Sequence, residues 1–156
     1  MANKLYLAYG SNLNIRQMQM QMRCPGAKVA GTATIADYEL LFKGSMTGSF
    51  LTIERKDGAS VPVGVWQVTE ADVKALDRYE GYPKFYYRKS LFLPVKDIQT
   101  GKVRKCRAFV YIMHEERALG IPCDSYVRTC TEGYKDFGFD TDFLERAISI
   151  SKEALQ

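Results

Sequence analysis

From Lys28 to Met113 the chain carries strand-like patterning interrupted by one helical stretch, and this leaves few strand–helix–strand units. A doubly wound parallel sheet needs many such units, so the pattern points to an α+β domain around a curved, mostly antiparallel sheet or small barrel with helices outside. Lys28 to Phe42 alternates and is rich in Val, Thr, Ile and Tyr, which predicts one long strand or two bent ones. Phe50 to Arg55 is expected as a strand turned at Asp57-Gly58, with Val61 to Val68 following it as another. Tyr86 to Lys96 and Val103 to Met113 are expected to pair across Thr100-Gly101. Ahead of this region, Lys4 to Tyr9 predicts a first strand. Asn14 to Met22, with Ile15, Met18 and Met22 at helical spacing, predicts a short helix closed by Cys24-Pro25-Gly26. Two helices are expected in the tail, over about Asp124 to Asp136 and Thr141 to Ala154. No repeat, low-complexity tract or linker divides the chain, so one domain over residues 1–156 is expected.

The charge balance, 22 basic against 18 acidic residues, is too mild to imply a nucleic-acid or membrane-surface partner. Tyr82, Phe85, Tyr86 and Tyr87, followed by Arg88 and Lys89, could stack on bases, but alternate aromatics packed inward from a strand explain them more simply. Lys102, Arg104, Lys105 and Arg107 form a solvated strand face on the same reasoning. No apolar run approaches the roughly 18 residues needed to cross a bilayer, and the N-terminus is expected as a strand and not a leader. Cys24, Cys106, Cys123 and Cys130 form no CxxC pair, which argues against a disulfide framework or a zinc site and for a reduced, cytoplasmic setting. His114 is the only histidine, so His-pair metal sites are excluded and no metal or cofactor is expected. The apolar pattern identifies no interface, which leaves a monomer or a homodimer.

Two segments carry the chemistry. In Tyr9-Gly10-Ser11-Asn12-Leu13 a glycine ends the first strand and lets the backbone turn sharply or approach a ligand. The N–H groups after it suit a carboxylate or a developing oxyanion. A plain strand-to-helix turn capped by Ser11 or Asn12 accounts for the same residues. The segment is neither a GxGxxG nor a Walker loop, and Ser11 lacks the surroundings of a nucleophile. The second segment is the helix from Thr69 to Glu80, which Thr69 caps and Gly81 closes. At about 100° per residue, Val73, Leu76 and Glu80 share one stripe. A carboxylate on a buried stripe is raised in pKa by desolvation, by the negative helix end and by Asp77 nearby, which suits a general acid and base. The competing reading pairs Glu80 with Arg88, Lys84 or a backbone amide as a structural anchor. Tyr126 offers a phenol to a pocket or to the core.

YGSNL after the first strand, VPVGVW, LDRYEGYPKFYYR and the late Tyr126 together resemble the gamma-glutamylcyclotransferase-like superfamily, in order from Tyr6 to about Phe143. The resemblance implies a compact mixed-sheet barrel with flanking helices and one pocket at its mouth. It also implies that Tyr9, Gly10, Ser11, Asn12 and Leu13 bind a gamma-glutamyl moiety, that Glu80 is the catalytic acid/base, and that Tyr87 and Tyr126 line the pocket. The implied reaction is cofactor-independent cyclisation of a small gamma-glutamyl amide to 5-oxoproline with release of an amine. A module that binds a gamma-glutamyl or other small carboxylate ligand without turnover is the alternative.

Overall fold

The computed structural model describes residues 3–20, 23–45 and 48–156. Its strands are β1 (Lys4–Ala8), β2 (Lys28–Ser45), β3 (Gly48–Val68), β4 (Tyr86–Asp97), β5 (Val103–Met113) and β6 (Ala118–Leu119). Its α-helices are α1 (Glu70–Glu80), α2 (Asp124–Asp136) and α3 (Asp142–Ala154). The strands run in the order β3-β1-β5-β4-β2, and β2 returns to β3, so five strands close on themselves as a barrel with flanking helices. β6 adds to β2 outside that closure. Only β1 and β5 are parallel, with Tyr6 opposite Phe109; every other pairing is antiparallel. Closure removes the free edges that an open sheet of this size would present.

The expected turn at Asp57-Gly58 is a bulge and not a reversal. Ala36 pairs with Ser60 and Tyr38 with Arg55, so residues 56–59 face Asp37 alone and then rejoin the same ladder. Asp37 sits at φ 61 and accepts the Gly58 N–H at 3.0 Å, which holds the extra residues out of the sheet. β2 is 18 residues long, enough to partner both expected strands, and they fuse into the 21-residue β3. The turn signal was genuine, but its partner lay beside it and not ahead of it.

The short helix expected at Asn14 to Met22 is instead a π-helical stretch, Arg16–Met20, with Met18 buried. Met22 lies outside the described residues. The Cys24 N–H reaches back to the Met18 carbonyl at 2.8 Å and returns the chain toward β2. α1 follows its sequence signals closely. Thr69 accepts the Asp72 N–H at 3.2 Å, and the Asp72 carboxylate accepts the Thr69 N–H at 2.9 Å, a reciprocal capping box. Gly81 ends the helix at φ 65, where a side chain would be strained. Val73 and Leu76 bury the inner stripe.

The core fills the barrel and the α2 interface. Trp66, Tyr111, Tyr134, Phe42 and Leu7 are its large buried members. α2 comes so close to the segment after β1 that a Cβ on Gly133 would lie 2.6 Å from the Asn14 nitrogen and 2.7 Å from the Leu13 carbonyl carbon. Backbone cannot yield there as a flexible side chain could. Gly133→Ala is therefore expected to destabilise the fold by about 1–3 kcal/mol, the usual cost of overpacking. Urea unfolding checks this: a lowered midpoint with an unchanged slope is the expected result.

Candidate active site

β1 delivers Tyr9 and Gly10 to one end of the barrel, where Ser11–Leu13 forms a single 3-10 turn. The turn is tied down at nearly every polar group. The Tyr134 hydroxyl donates to the Tyr9 carbonyl at 3.0 Å, and the Tyr9 hydroxyl donates to the Tyr111 carbonyl at 2.7 Å. The indole N–H of Trp66 donates to the Asn12 carbonyl at 2.9 Å. The Asn12 side chain donates to the Tyr6 hydroxyl at 2.9 Å and accepts from Arg23 Nη1 at 2.5 Å. Ser11 Oγ lies 3.0 Å from the Tyr79 hydroxyl. The Leu13 N–H is consumed inside the turn by the Gly10 carbonyl, at 3.0 Å. Among the described residues the N–H groups of Ser11 and Asn12 find no backbone acceptor, as the first positions of a helical turn never do internally.

Facing this turn is a cavity of about 390 Å³. Its walls come from β1 (Tyr6), the turn (Tyr9 to Asn12), β3 (Phe50, Leu51), the end of α1 (Arg78 to Gly81), the β4 approach (Phe85, Tyr86), β5 (Tyr111) and α2 (Tyr126). Glu80 is half-buried and lines the cavity. Burial pushes its carboxyl up to about 8, and the Arg23 guanidinium opposes that shift. No cation lies within ion-pair distance of Glu80 among the described residues. Arg88 instead approaches Asp77 at 3.8 Å, and Asp77 accepts the Tyr111 hydroxyl at 2.6 Å. The anchoring role considered for Glu80 therefore falls to Asp77, and Asp77 contributes nothing to the raised Glu80 pKa. Burial likewise pushes up the phenols of Tyr6, Tyr9, Tyr86 and Tyr126, and Glu80 adds to the rise in the first three. These hydroxyls stay neutral and are donors at any physiological pH.

Residues 6–128 match the model of a family described as gamma-glutamyl cyclotransferase, AIG2-like. The chain belongs to this family. It is 28% identical over 156 residues to the gamma-glutamylcyclotransferase of Bos taurus, covering 94% of this chain and 78% of that one. Among solved structures, one described as a gamma-glutamyl cyclotransferase superposes with a TM-score of 0.75 at 26% identity, covering 93% of this chain and 86% of the other. An uncharacterized protein from Homo sapiens superposes with a TM-score of 0.74 at 27% identity, covering 94% and 87%. The mixed barrel described above is thus the fold of gamma-glutamyl cyclotransferases. No helix among the described residues is long and apolar enough to cross a membrane. Nor, among those residues, do three or more His, Cys, Asp or Glu side chains gather where they could hold a metal ion.

The cavity brings together most of the candidate residues. Tyr9, Gly10, Ser11 and Asn12 line the cavity with Glu80 and Tyr126. Leu13 does not; it is wholly buried against Gly64 and Gly133 and anchors the turn from below. Tyr87 turns to the other face of β4, where its hydroxyl bonds Glu115 and its ring meets His114. Its neighbour Tyr86 takes the cavity position and donates to the Leu51 carbonyl at 2.8 Å. Tyr126 accepts the Leu51 N–H at 3.2 Å, so two phenols hold one stretch of β3. Tyr6, Tyr79, Tyr111 and Arg23 were not singled out from sequence. Tyr6 carried a usable signal, since it lies on the inward alternation of β1.

The raised carboxyl has a consequence for stability. Unfolded, Glu80 ionises near its ordinary value; folded, it ionises only near 8. Its folded-state stabilisation is complete below the unfolded value and is lost as pH climbs through 4.5 toward 8. Glu80→Gln, neutral throughout, escapes this loss. The variant is expected to melt close to wild type at pH 5 and above it at pH 9. Thermal unfolding across that range measures the difference.

Proposed function

We propose that the chain catalyses cyclisation of a small gamma-glutamyl amide, releasing 5-oxoproline and a free amine, with Glu80 as general base and then general acid. What carries this reading is a buried carboxyl pushed up to about 8 that, among the described residues, has no ion-pair partner, and that shares its cavity with a turn whose leading N–H groups have no backbone acceptor among those residues. The cavity is of the size that encloses a small ligand.

The chemistry needs little else. A gamma-glutamyl amide holds its α-nitrogen within reach of its own γ-carbonyl carbon, but as an ammonium that nitrogen has no lone pair. Glu80 takes one proton, the freed amine adds to the γ-carbonyl, and a five-membered ring forms around a tetrahedral oxyanion. The bond from the γ-carbon to the departing nitrogen then breaks as Glu80 returns the proton to it, and the ring nitrogen gives up its second proton, which leaves the released amine as an ammonium and the ring as a neutral lactam. No water is consumed, and Glu80 ends as it began. The Ser11 and Asn12 N–H groups would hold the α-carboxylate or the oxyanion, and the neutral phenols around the cavity would exclude water, with the Tyr6 and Tyr126 hydroxyls, which accept bonds from Asn12 and the Leu51 N–H, keeping their protons to donate. Because the nucleophile belongs to the substrate, holding the glutamyl chain coiled supplies much of the rate.

Ionisation fits as well. A carboxylate at about 8 is close in basicity to an amino-acid ammonium, so transfer between them is nearly level. The bound ammonium also favours ionised Glu80, which places the acid limb of kcat below that of kcat/KM.

The test is 5-oxoproline release from a panel of gamma-glutamyl amides, with wild-type and Glu80→Gln proteins side by side. Turnover by wild type, with a loss of at least about 10³-fold in the variant, is the expected result. The acid limb of kcat/KM is expected near pH 8. Equal turnover by the two proteins would remove Glu80 from the mechanism. Binding of these amides without turnover by wild type would make the chain a ligand-holding module.

A further inference from the structure

Among the described residues, Arg23 is the one charged side chain that contacts both the turn after β1, at Asn12, and the end of α1, at Tyr79. Its guanidinium lies 3.5 Å from the centre of the Tyr79 ring and donates to Asn12 Oδ1 at 2.5 Å. Tyr79 and Asn12 both line the cavity, and Tyr79 continues through its hydroxyl to Ser11. Arg23 is not a wall of the cavity itself; it stands behind the seam where the turn after β1 meets the end of α1. Among the described residues no carboxylate lies within ion-pair distance of it. A half-buried guanidinium that is gripped by an amide oxygen and an aromatic face, yet has no close counter-ion, is a fixed positive charge with its field unspent.

We infer that Arg23 is a positioning residue of this site: it clamps Asn12 and Tyr79 together across the cavity edge and supplies the counter-charge that lets Glu80 ionise. The inference rests on the proposed role of Glu80. Among the described residues Arg23 is the one charge that acts on the Glu80 carboxyl; Arg117 lies over the Phe85 ring, 4.2 Å from its centre. Tyr6 from β1, Tyr9 from the turn after it, Tyr86 from β4 and Tyr111 from β5 line the cavity with Glu80, and all are phenols that burial pushes up and keeps neutral. Tyr126 faces the cavity from α2 in the same neutral state. On α1 itself, Asp77 is engaged by Tyr111 and Arg88, and Arg78 is exposed at the mouth. Desolvation raises the Glu80 carboxyl, and Arg23 is the charge that restrains the rise. Without it, too small a fraction of Glu80 would be ionised near neutral pH to accept a proton, although the carboxylate would still be in place.

The decisive measurement reads Glu80 directly and needs no turnover. Protein carrying glutamate labelled with ¹³C at the side-chain carboxyl is titrated by NMR, the Glu80 signal being assigned by its loss in Glu80→Gln. The midpoint is expected to rise by about half a unit to one unit in Arg23→Gln and to stay near the wild-type value in Arg23→Lys, which keeps the charge. Tyr79→Leu, which removes the aromatic face from an exposed position, is expected to raise it too and serves where Arg23→Gln folds poorly. In activity, Arg23→Gln is expected to move the acid limb of kcat/KM upward by the same amount, losing several-fold near pH 7 and recovering most of it above pH 9. An unmoved midpoint in Arg23→Gln and Tyr79→Leu would overturn the inference, as would a loss of activity equal at every pH. If wild type shows no turnover at all, the proposed reaction fails, and the titration still decides whether Arg23 governs Glu80.

Discussion

Asn12 is the point from which the site is held. Its carbonyl takes the indole N–H of Trp66, its amide donates to Tyr6, and its side-chain oxygen receives Arg23. Those three partners come from β3, β1 and the segment that follows the π-helical stretch, so one residue ties the turn to the barrel wall and to the chain passing beneath it. Each bond adds only about 1 kcal/mol of net stability. Their joint effect is geometric: a 3-10 turn has little rigidity of its own, and one secured on three sides cannot relax its free N–H groups onto internal acceptors. From below, α2 presses on the same turn at Gly133, with no room for a methyl group between them. The loop is rigid because the barrel and α2 hold it, and not because of its own sequence.

The same packing sets the electrostatics. Closing five strands and laying α2 across one end buries a ring of phenols around the last residue of α1. Phenols are large enough to exclude water and polar enough to leave no orphaned hydroxyl. An aliphatic wall would desolvate Glu80 further and offer nothing to a polar substrate; a wall of cations would hold the carboxyl ionised and unreactive. Tyrosine supplies a middle course, and Arg23 behind the wall supplies one charge at a distance. Asp77, one turn back on α1, shows the alternative: paired with Tyr111 and Arg88, it is an anchor.

How much of this was legible in the sequence follows from the range over which each signal acts. α1 was readable to its caps, because capping box, stripe and closing glycine lie within a dozen residues, and the stripe carried Glu80 with it. The hairpin of β4 and β5 was readable for the same reason. The Asp57-Gly58 signal was read as a reversal, since a local sequence cannot say whether the strand on its far side has a new partner or an old one. Tyr86 and Tyr87 show the limit of alternation: a period of two marks one of two adjacent tyrosines as inward, and only the register, with Tyr86 opposite buried Met113, says which. Arg23 had no signal. It follows a π-helical stretch whose spacing matches neither helix nor strand, and its partners Asn12 and Tyr79 are brought to it by the fold.

The parallel pairing of β1 with β5 links these features. Had β5 paired with its sequence neighbours alone, the sheet would have stayed open, and Tyr111 would not stand beside Tyr6 at 5.7 Å between ring centres. The parallel contact inserts β1 between β3 and β5, and so brings the turn after β1 to the barrel end where α1 terminates. A strand of five residues is enough, because longer strands flank it on both edges and its last three residues are buried. The meeting of the turn with Glu80 is therefore a consequence of barrel closure. Its geometry depends on residues as distant as Trp66 and Gly133, which never touch the cavity but decide where its donors point.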